Sequence, residues 1–391
     1  MASRIDRIEQ VAQRHVAAGA YPSIEWLVQV DGHEWLRGAA GQADPLSNVP
    51  LPGKPIYRLY SMTKPVISAI ALMLVEEGRL HLYDPVAAFL PAFGRMEIID
   101  ADGTLHPAGR VMLVEHLLTH RSGLTYGFLQ SCPAAARYRE TRLGSSHEPL
   151  ETMVDTIASL PLAFEPGSQW RYSVATDVMA RIIEVIEGKP LQQVVDERVI
   201  RPLGLADTGF MVKPEARQRL VPMFGKADLD ALMVFDEGPQ QLTPADVSSH
   251  YPVDDPGFAR GGYGLYSTID DYAAICDLLA TGTDRNGDIL LSRHMVKFMW
   301  TNRIPESQMP LAIGPVPLPG YGFSLAGRVM SDLSRSVSMT GLGEFGWSGA
   351  AGTFFWIDPA ENMTGVVMTQ YLGSKLPLAD DMRTAAYQAL E

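Results

Sequence analysis

The sequence predicts an α/β (α+β) protein in which one mixed sheet, assembled from both chain ends, covers a mostly helical middle. Three observations carry that expectation. Short apolar or aromatic runs separated by turn residues stand near each terminus, and helix-period segments broken by Pro- and Gly-rich turns fill the region between them. At 391 residues, with 46% hydrophobic and 20% charged residues, the chain also has the length and composition for a large core.

In chain order, Ile5, Ile8, Val11, Ala12 and Val16 recur at helical spacing and predict an opening amphipathic helix. I-E-W-L-V-Q-V (24–30) and E-W-L-R-G-A-A (34–40) read as strands, joined at Asp31-Gly32-His33, where Asp-Gly suits a hairpin turn. The middle supplies helix candidates at 65–77, 112–119, 150–159, 174–187 and 190–200. Near the other end, G-T-F-F-W-I (352–357) and T-G-V-V-M-T (364–369) read as strands around the turn-rich D-P-A-E-N (358–362), with a final helix from Leu378. The expected organisation is a single unit with two lobes. Residues 1–60 and 261–391 form the lobe that carries the sheet, residues 61–260 form the helical lobe, and a cleft lies between them.

Thirty-two basic against 45 acidic residues give a net charge of −13, and the basic residues form no run. Nucleic acid and anionic membrane, which both need a positive footprint, are therefore not expected partners. Cys132 and Cys276 form no C-x-x-C, so no metal knuckle or disulfide framework is expected and a reducing compartment fits. The first residues alternate charge with apolar side chains, unlike a signal peptide, and the longest apolar run is about half of the ~20 residues that span a bilayer. The expectation is a cytoplasmic protein.

Chemistry enters at Ser61-Met62-Thr63-Lys64, where an apolar run begins. On a helix, positions i and i+3 share a face, so hydroxyl and amine come within hydrogen-bond reach. The positive end of a helix macrodipole disfavours an ammonium there, and so does burial. A neutral amine is a base, and a serine becomes a nucleophile when an adjacent base takes its proton. Two further stretches belong with it. W-R-Y-S-V-A-T-D (170–177) stands at the mouth of a helix after a Pro-Gly turn. G-W-S-G-A-A-G (346–352) is small-residue backbone that a substrate carbonyl can approach closely.

In this order, S-M-T-K, Y-S-V and W-S-G-A resemble the three-box layout of penicillin-recognising serine enzymes, the class C β-lactamase and DD-peptidase superfamily. The segments L-L-T-H-R-S-G-L (117–124), E-G-R-L-H-L-Y-D-P-V (77–86), P-L-G-L-A-D-T-G-F (202–210) and G-G-Y-G-L-Y-S-T (261–268) extend the resemblance over most of the chain. It implies a β-lactamase-like fold with an antiparallel sheet. Two departures are informative: Trp347 stands where those enzymes usually have lysine or histidine, and Val174 where they usually have asparagine. Both polar holds for a β-lactam are thus missing, and the pattern is similar to family VIII carboxylesterases. That resemblance implies Ser61 as nucleophile, Lys64 as its base or proton partner and Tyr172 as a second proton-transfer group. It leaves open whether lysine or tyrosine removes the serine proton. It further implies an oxyanion site of the Ser61 and Ala350 backbone N–H groups, with Trp347, Ser348, Gly349, Val174 and Tyr126 around the substrate. Tyr126 is also the second candidate for a tyrosine in the cleft.

The rival motifs are weaker. G-x-S-x-G is absent. His116 and His120, spaced i, i+4, have no third metal ligand nearby and read as packing or capping residues; Asp284-Arg285-Asn286-Gly287-Asp288 reads as a turn. The expected activity is hydrolysis of small or short-chain acyl esters through an acyl-serine, with no cofactor and no metal. An amidase, β-lactamase or acyltransferase on the same scaffold, and a sensor that acylates and stops, are the alternatives.

Overall fold

The N-terminal hairpin takes the form its turn residues dictate. In a computed structural model describing residues 4–130, 132–145, 147–234 and 240–390, β1 (Ser23–Val30) and β2 (His33–Gly41) pair antiparallel with Val30 opposite His33. Asp31 (φ 51°) and Gly32 (φ 75°) supply the two left-handed residues that a tight two-residue turn needs.

The other five strands of the main sheet come from the C-terminal part: β3 (Tyr321–Phe323), β4 (Arg328–Met330), β5 (Phe345–Ser348), β6 (Phe354–Asp358) and β7 (Met363–Met368). The strand order is β3-β4-β5-β6-β7-β1-β2, antiparallel throughout. The β1–β7 pairing, Glu25 opposite Met368 through Val30 opposite Met363, is the seam that joins the two chain ends. Strand alternation then divides β6 between two cores: Phe354 and Trp356 face one layer, Phe355 and Ile357 the other.

The first layer is formed by the two terminal helices, α1 (Arg7–Ala17) and one at Leu378–Ala389, whose Ile8, Ala12, Met382 and Ala386 bury the face of Trp26, Val28 and Trp356. The opposite face is covered by the middle of the chain. Its central helix is α2 (Thr63–Glu76), buried from Thr63 to Leu74, as the apolar run from Val66, broken only by Ser68, requires. Around it stand α3 (Val114–Leu118), α4 (Pro133–Thr141), α5 (Leu150–Ala158), α6 (Ala175–Glu187), α7 (Leu191–Val195) and α8 (Ile269–Thr281). Tyr272 and Ile275 of α8 share one core with Ile70 of α2 and with Phe355 and Val366 of the sheet. Each such fully buried large apolar side chain contributes roughly 1.5–3 kcal/mol.

Three local differences from the expected elements have physical causes. The 112–119 helix forms only over Val114–Leu118, because Leu113 is extended (φ −102°, ψ 158°) and donates its N–H to His116 Nδ1 at 3.2 Å, which makes His116 a cap. The 190–200 helix is α-helical to Val195 and widens into a π turn over Asp196–Ile200. The β3–β4 hairpin was not anticipated, since its strands are three residues each. Asp284 is a turn residue as expected: its Oδ1 accepts the N–H groups of Asn286 and Asp288, each at 2.8 Å. Cys132 and Cys276 are unbonded to each other. Among the described residues no helix is long and apolar enough to cross a membrane, and no group of three or more His, Cys, Asp or Glu side chains is arranged to hold a metal.

Candidate active site

Ser61 is presented by a constrained turn. Tyr60 adopts φ 47°, a left-handed conformation uncommon for a bulky residue, with its ring packed 4.8 Å from that of Tyr251. The chain then turns through a short 3₁₀ segment, Tyr60–Met62, directly into α2, and the i, i+3 spacing brings Lys64 Nζ to 3.2 Å from Ser61 Oγ. On the other side Tyr172, immediately upstream of α6, donates its hydroxyl to Ser61 Oγ at 2.6 Å. The serine oxygen therefore sits between a phenol and an amine.

Lys64 is 2% exposed near the N-terminus of a buried helix, and the surroundings compensate for that placement. Its Nζ donates to Gly262 O at 2.6 Å and to Tyr126 Oη at 2.9 Å as well as to Ser61. These three partners match the three hydrogens of an ammonium. It also lies 4.8 Å from the ring centroid of Tyr172 and 5.3 Å from that of Tyr126, within cation–π range. Behind Gly262 is Asp177, fully buried on the first turn of α6, whose Oδ1 accepts the Gly262 N–H at 2.8 Å. Burial pushes the Asp177 carboxyl up from the usual range, and attraction to Lys64 opposes that rise. Burial likewise holds the Tyr126 phenol well above its ordinary value, reinforced by Tyr172 and Asp177.

His120 packs beneath Tyr172, with ring centroids 4.8 Å apart and Nδ1 3.1 Å from Ser173 Oγ. Burial, assisted by the nearby Lys64 charge, pushes it well below the ordinary histidine value, so it stays neutral. Its part is to back the tyrosine ring.

The third stretch is fastened to the serine segment through Gly349. A Cβ there would lie 2.2 Å from Leu59 O and 2.3 Å from Thr353 Oγ1, so only glycine lets the β5 end approach the chain two residues before Ser61. Thr353 Oγ1 donates to Leu59 O at 3.3 Å, and Gly349 N to Thr353 O at 2.7 Å, closing a turn that carries Ala350. Ser61, Tyr126, Tyr172, Val174, Trp347, Ser348, Gly349 and Ala350 all line one cleft of about 1000 Å³. Val174 and Trp347 are each 3% exposed; Trp347 packs 5.4 Å from the Tyr172 ring and edge-on to Phe323 at 5.1 Å.

Every residue singled out in the sequence for this site thus lines one cleft except Lys64, which lies buried behind Ser61, and Tyr126 comes nearer to the lysine than a substrate-wall role required. Asp177 and Gly262 had no assigned part, although both lie in the stretches quoted above; His120 is the packing residue expected of it. The one local signal for Asp177 is an acidic residue in the first turn of a helix, which the helix dipole favours on a surface as well.

The Beta-lactamase family model matches residues 8–389. Among curated proteins, the chain is similar to Protein Rv1367c of Mycobacterium tuberculosis, 35% identical over 375 residues that cover 93% of this chain and 88% of that one. It is also similar to Esterase EstB of Burkholderia gladioli, 30% identical over 400 residues that cover 99% and 95%. Among solved structures, EstCE1, described as a hydrolase with promiscuous acyltransferase activity, superposes with a TM-score of 0.82 at 26% identity over 98% of each chain. The serine and lysine at the mouth of α2, the tyrosine ahead of α6 and the glycine-bearing turn beyond β5 therefore lie on a shared scaffold, and the chain belongs to the Beta-lactamase family.

Proposed function

We propose that this protein is a serine carboxylesterase that hydrolyses small or short-chain acyl esters through an acyl-serine intermediate. The observation that carries this reading is Ser61 Oγ held 2.6 Å from Tyr172 Oη and 3.2 Å from Lys64 Nζ. In this reading Ser61 Oγ attacks the ester carbonyl carbon and passes its proton into the Tyr172–Lys64 pair. The backbone N–H groups of Ser61 and Ala350 receive the developing oxyanion. The carbon–oxygen bond to the alcohol then breaks, and the leaving alkoxide takes the proton back. A water repeats the sequence on the acyl-serine, releasing the acid and restoring the serine. Trp347 and Val174 wall the substrate with apolar surface, and Ser348, Gly349 and Tyr126 border it. The similarity to Esterase EstB supports an ester as the substrate, and the similarity to EstCE1 supports a hydrolase.

A second reading is acyl transfer to an alcohol in place of water. A cleft of about 1000 Å³ is much larger than a short acyl chain requires and leaves room for an acceptor beside the acyl-serine.

The test is a parallel assay of a chromogenic butyrate ester and a chromogenic cephalosporin with the wild type and Ser61→Ala. The variant should lose ester turnover by several orders of magnitude. An organophosphate adduct should map to Ser61; an adduct on Ser122, Ser324 or Ser348 would refute the assignment.

A further inference from the structure

We infer that Asp177 is the positioning residue and buried counter-ion of Lys64, acting on it through the backbone of Gly262. The inference rests on the reading of Lys64 as the proton partner of Ser61. Asp177 is 0% exposed; its Oδ2 has no full hydrogen bond among the described residues, and the Gly261 N–H adds only a weaker attraction to the carboxyl. A buried carboxylate with an unsatisfied oxygen is costly, so a nearby opposite charge must offset it.

The geometry identifies that charge. Oδ1 accepts the Gly262 N–H at 2.8 Å, and the carbonyl of the same glycine accepts from Lys64 Nζ at 2.6 Å, so one residue bridges carboxylate and amine. The bridge requires glycine: a Cβ on residue 262 would lie 2.4 Å from Asp177 Oδ2 and 3.1 Å from Tyr126 Oη. The carboxylate therefore holds the residue whose carbonyl orients Lys64 toward Ser61, and the two charges attract each other.

The other groups facing this pair come from four segments. Ser61 precedes α2; His120 and Tyr126 lie between α3 and α4; Tyr172 and Ser173 stand ahead of α6; Arg260 and Tyr263 lie before α8. His120 stays neutral, Tyr126 stays a phenol, and burial raises Tyr263 to about 12. Arg260 is buried and also attracts Asp177, more weakly than Lys64 does.

A negative neighbour favours the protonated form of any group, so its loss moves that group's titration to lower pH. The direction is the same whether Lys64 or Tyr172 takes the serine proton. Asp177→Asn separates charge from scaffold, because the amide oxygen still accepts the Gly262 N–H. The acid limb of kcat/KM for p-nitrophenyl butyrate should move down by about one pH unit. The Lys64 resonance of [¹³Cε]lysine-labelled protein, assigned with Lys64→Arg, should titrate in the same direction. A purely structural carboxylate predicts wild-type profiles in Asp177→Asn, and that result would overturn the proposal.

Where Asp177→Asn is destabilised but folds, a double-mutant cycle reads the same pairing in melting temperatures; where it does not fold, adding Lys64→Met should restore a folding transition. Lys64→Met and Asp177→Asn each strand a buried charge, so the double variant should melt above the additive expectation by about 2 °C or more. Strict additivity, or a double variant that also fails to fold, would overturn the proposal. The lysine titration and the melting cycle need no ester chemistry, so their outcome stands even if the wild type proves inactive on esters.

Discussion

Tyr172 Oη lies 2.6 Å from Ser61 Oγ, inside the 3.2 Å that separates Lys64 Nζ from the same oxygen. Tyr126 Oη has no such contact with the serine; it meets Lys64 Nζ at 2.9 Å. The two tyrosines therefore act at different distances from the chemistry, one on the nucleophile and one on the nucleophile's partner.

Tyr172→Phe should lower the chemical step by roughly 10²–10⁴, the usual contribution of a positioned proton-transfer group. Tyr126→Phe removes one of three hydrogen bonds to Lys64 and part of the cleft wall, so its effect should be about tenfold and shared between kcat and KM. Single-turnover acylation of the two variants separates these outcomes. A reversed order would mean that the proton leaves the serine through Lys64 and Tyr126.

Lys64→Arg should be nearly as damaging as Lys64→Ala. A guanidinium remains protonated, and its planar fork cannot reproduce the three directions to Ser61, Tyr126 and Gly262. Acylation rates of the two variants near pH 8 check this. Near-normal rates in the arginine variant would assign Lys64 a purely electrostatic part.

What the sequence made legible is what lies close along the chain. Ser61 and Lys64 share a helix face, the 31–32 turn sets the first hairpin, and the alternation in F-F-W-I sets which core each aromatic enters. The relationships that complete the site join distant positions. Asp177 meets Gly262 across 85 residues, and Leu59 meets Thr353 across 294. Local pattern carries no information on such pairings; they follow from the sheet seam and from the packing of α6 against α2. Gly262 stands in the sequence only within the G-G-Y-G-L-Y-S-T segment, and the neighbouring carboxylate and phenol show why a side chain is excluded there.

Glu25 gives a pH dependence of stability that is separate from catalysis. Burial in β1 raises its carboxyl to about 7, opposed by the Tyr57 hydroxyl at 3.0 Å and by Arg37. Between the unfolded value near 4.5 and about 7 the native state keeps a proton that the unfolded chain has lost. Stability associated with this group is therefore complete below about pH 4.5 and is lost as pH rises through 7, a difference of roughly 3 kcal/mol. Glu25→Gln keeps an acceptor for Tyr57 and removes the titration. It should raise the melting temperature at pH 8 and leave it nearly unchanged at pH 4.5. An equal shift at both pH values would place the effect in packing.

The same cleft should prefer esters to β-lactams, because of what Trp347 and Val174 withhold. A cephalosporin brings a carboxylate that must shed water on entering, and Trp347, 3% exposed between Tyr172 and Phe323, presents an indole where a cation would be needed. Leaving that charge unpaired against an apolar wall costs several kcal/mol. Val174, also 3% exposed at the cleft, offers methyl groups where an amide would hydrogen-bond the substrate. A butyrate ester carries neither demand, and its acyl chain gains from burial against both side chains. Each 1.36 kcal/mol of lost transition-state stabilisation is about a tenfold change in rate, so kcat/KM for the butyrate ester should exceed that for the cephalosporin by at least about 10². Measured on one preparation at pH 7–8, equal or better efficiency on the cephalosporin would overturn the esterase reading and favour a β-lactamase. Trp347→His should narrow the gap from the cephalosporin side, since a histidine restores a donor at the place where the carboxylate would lie.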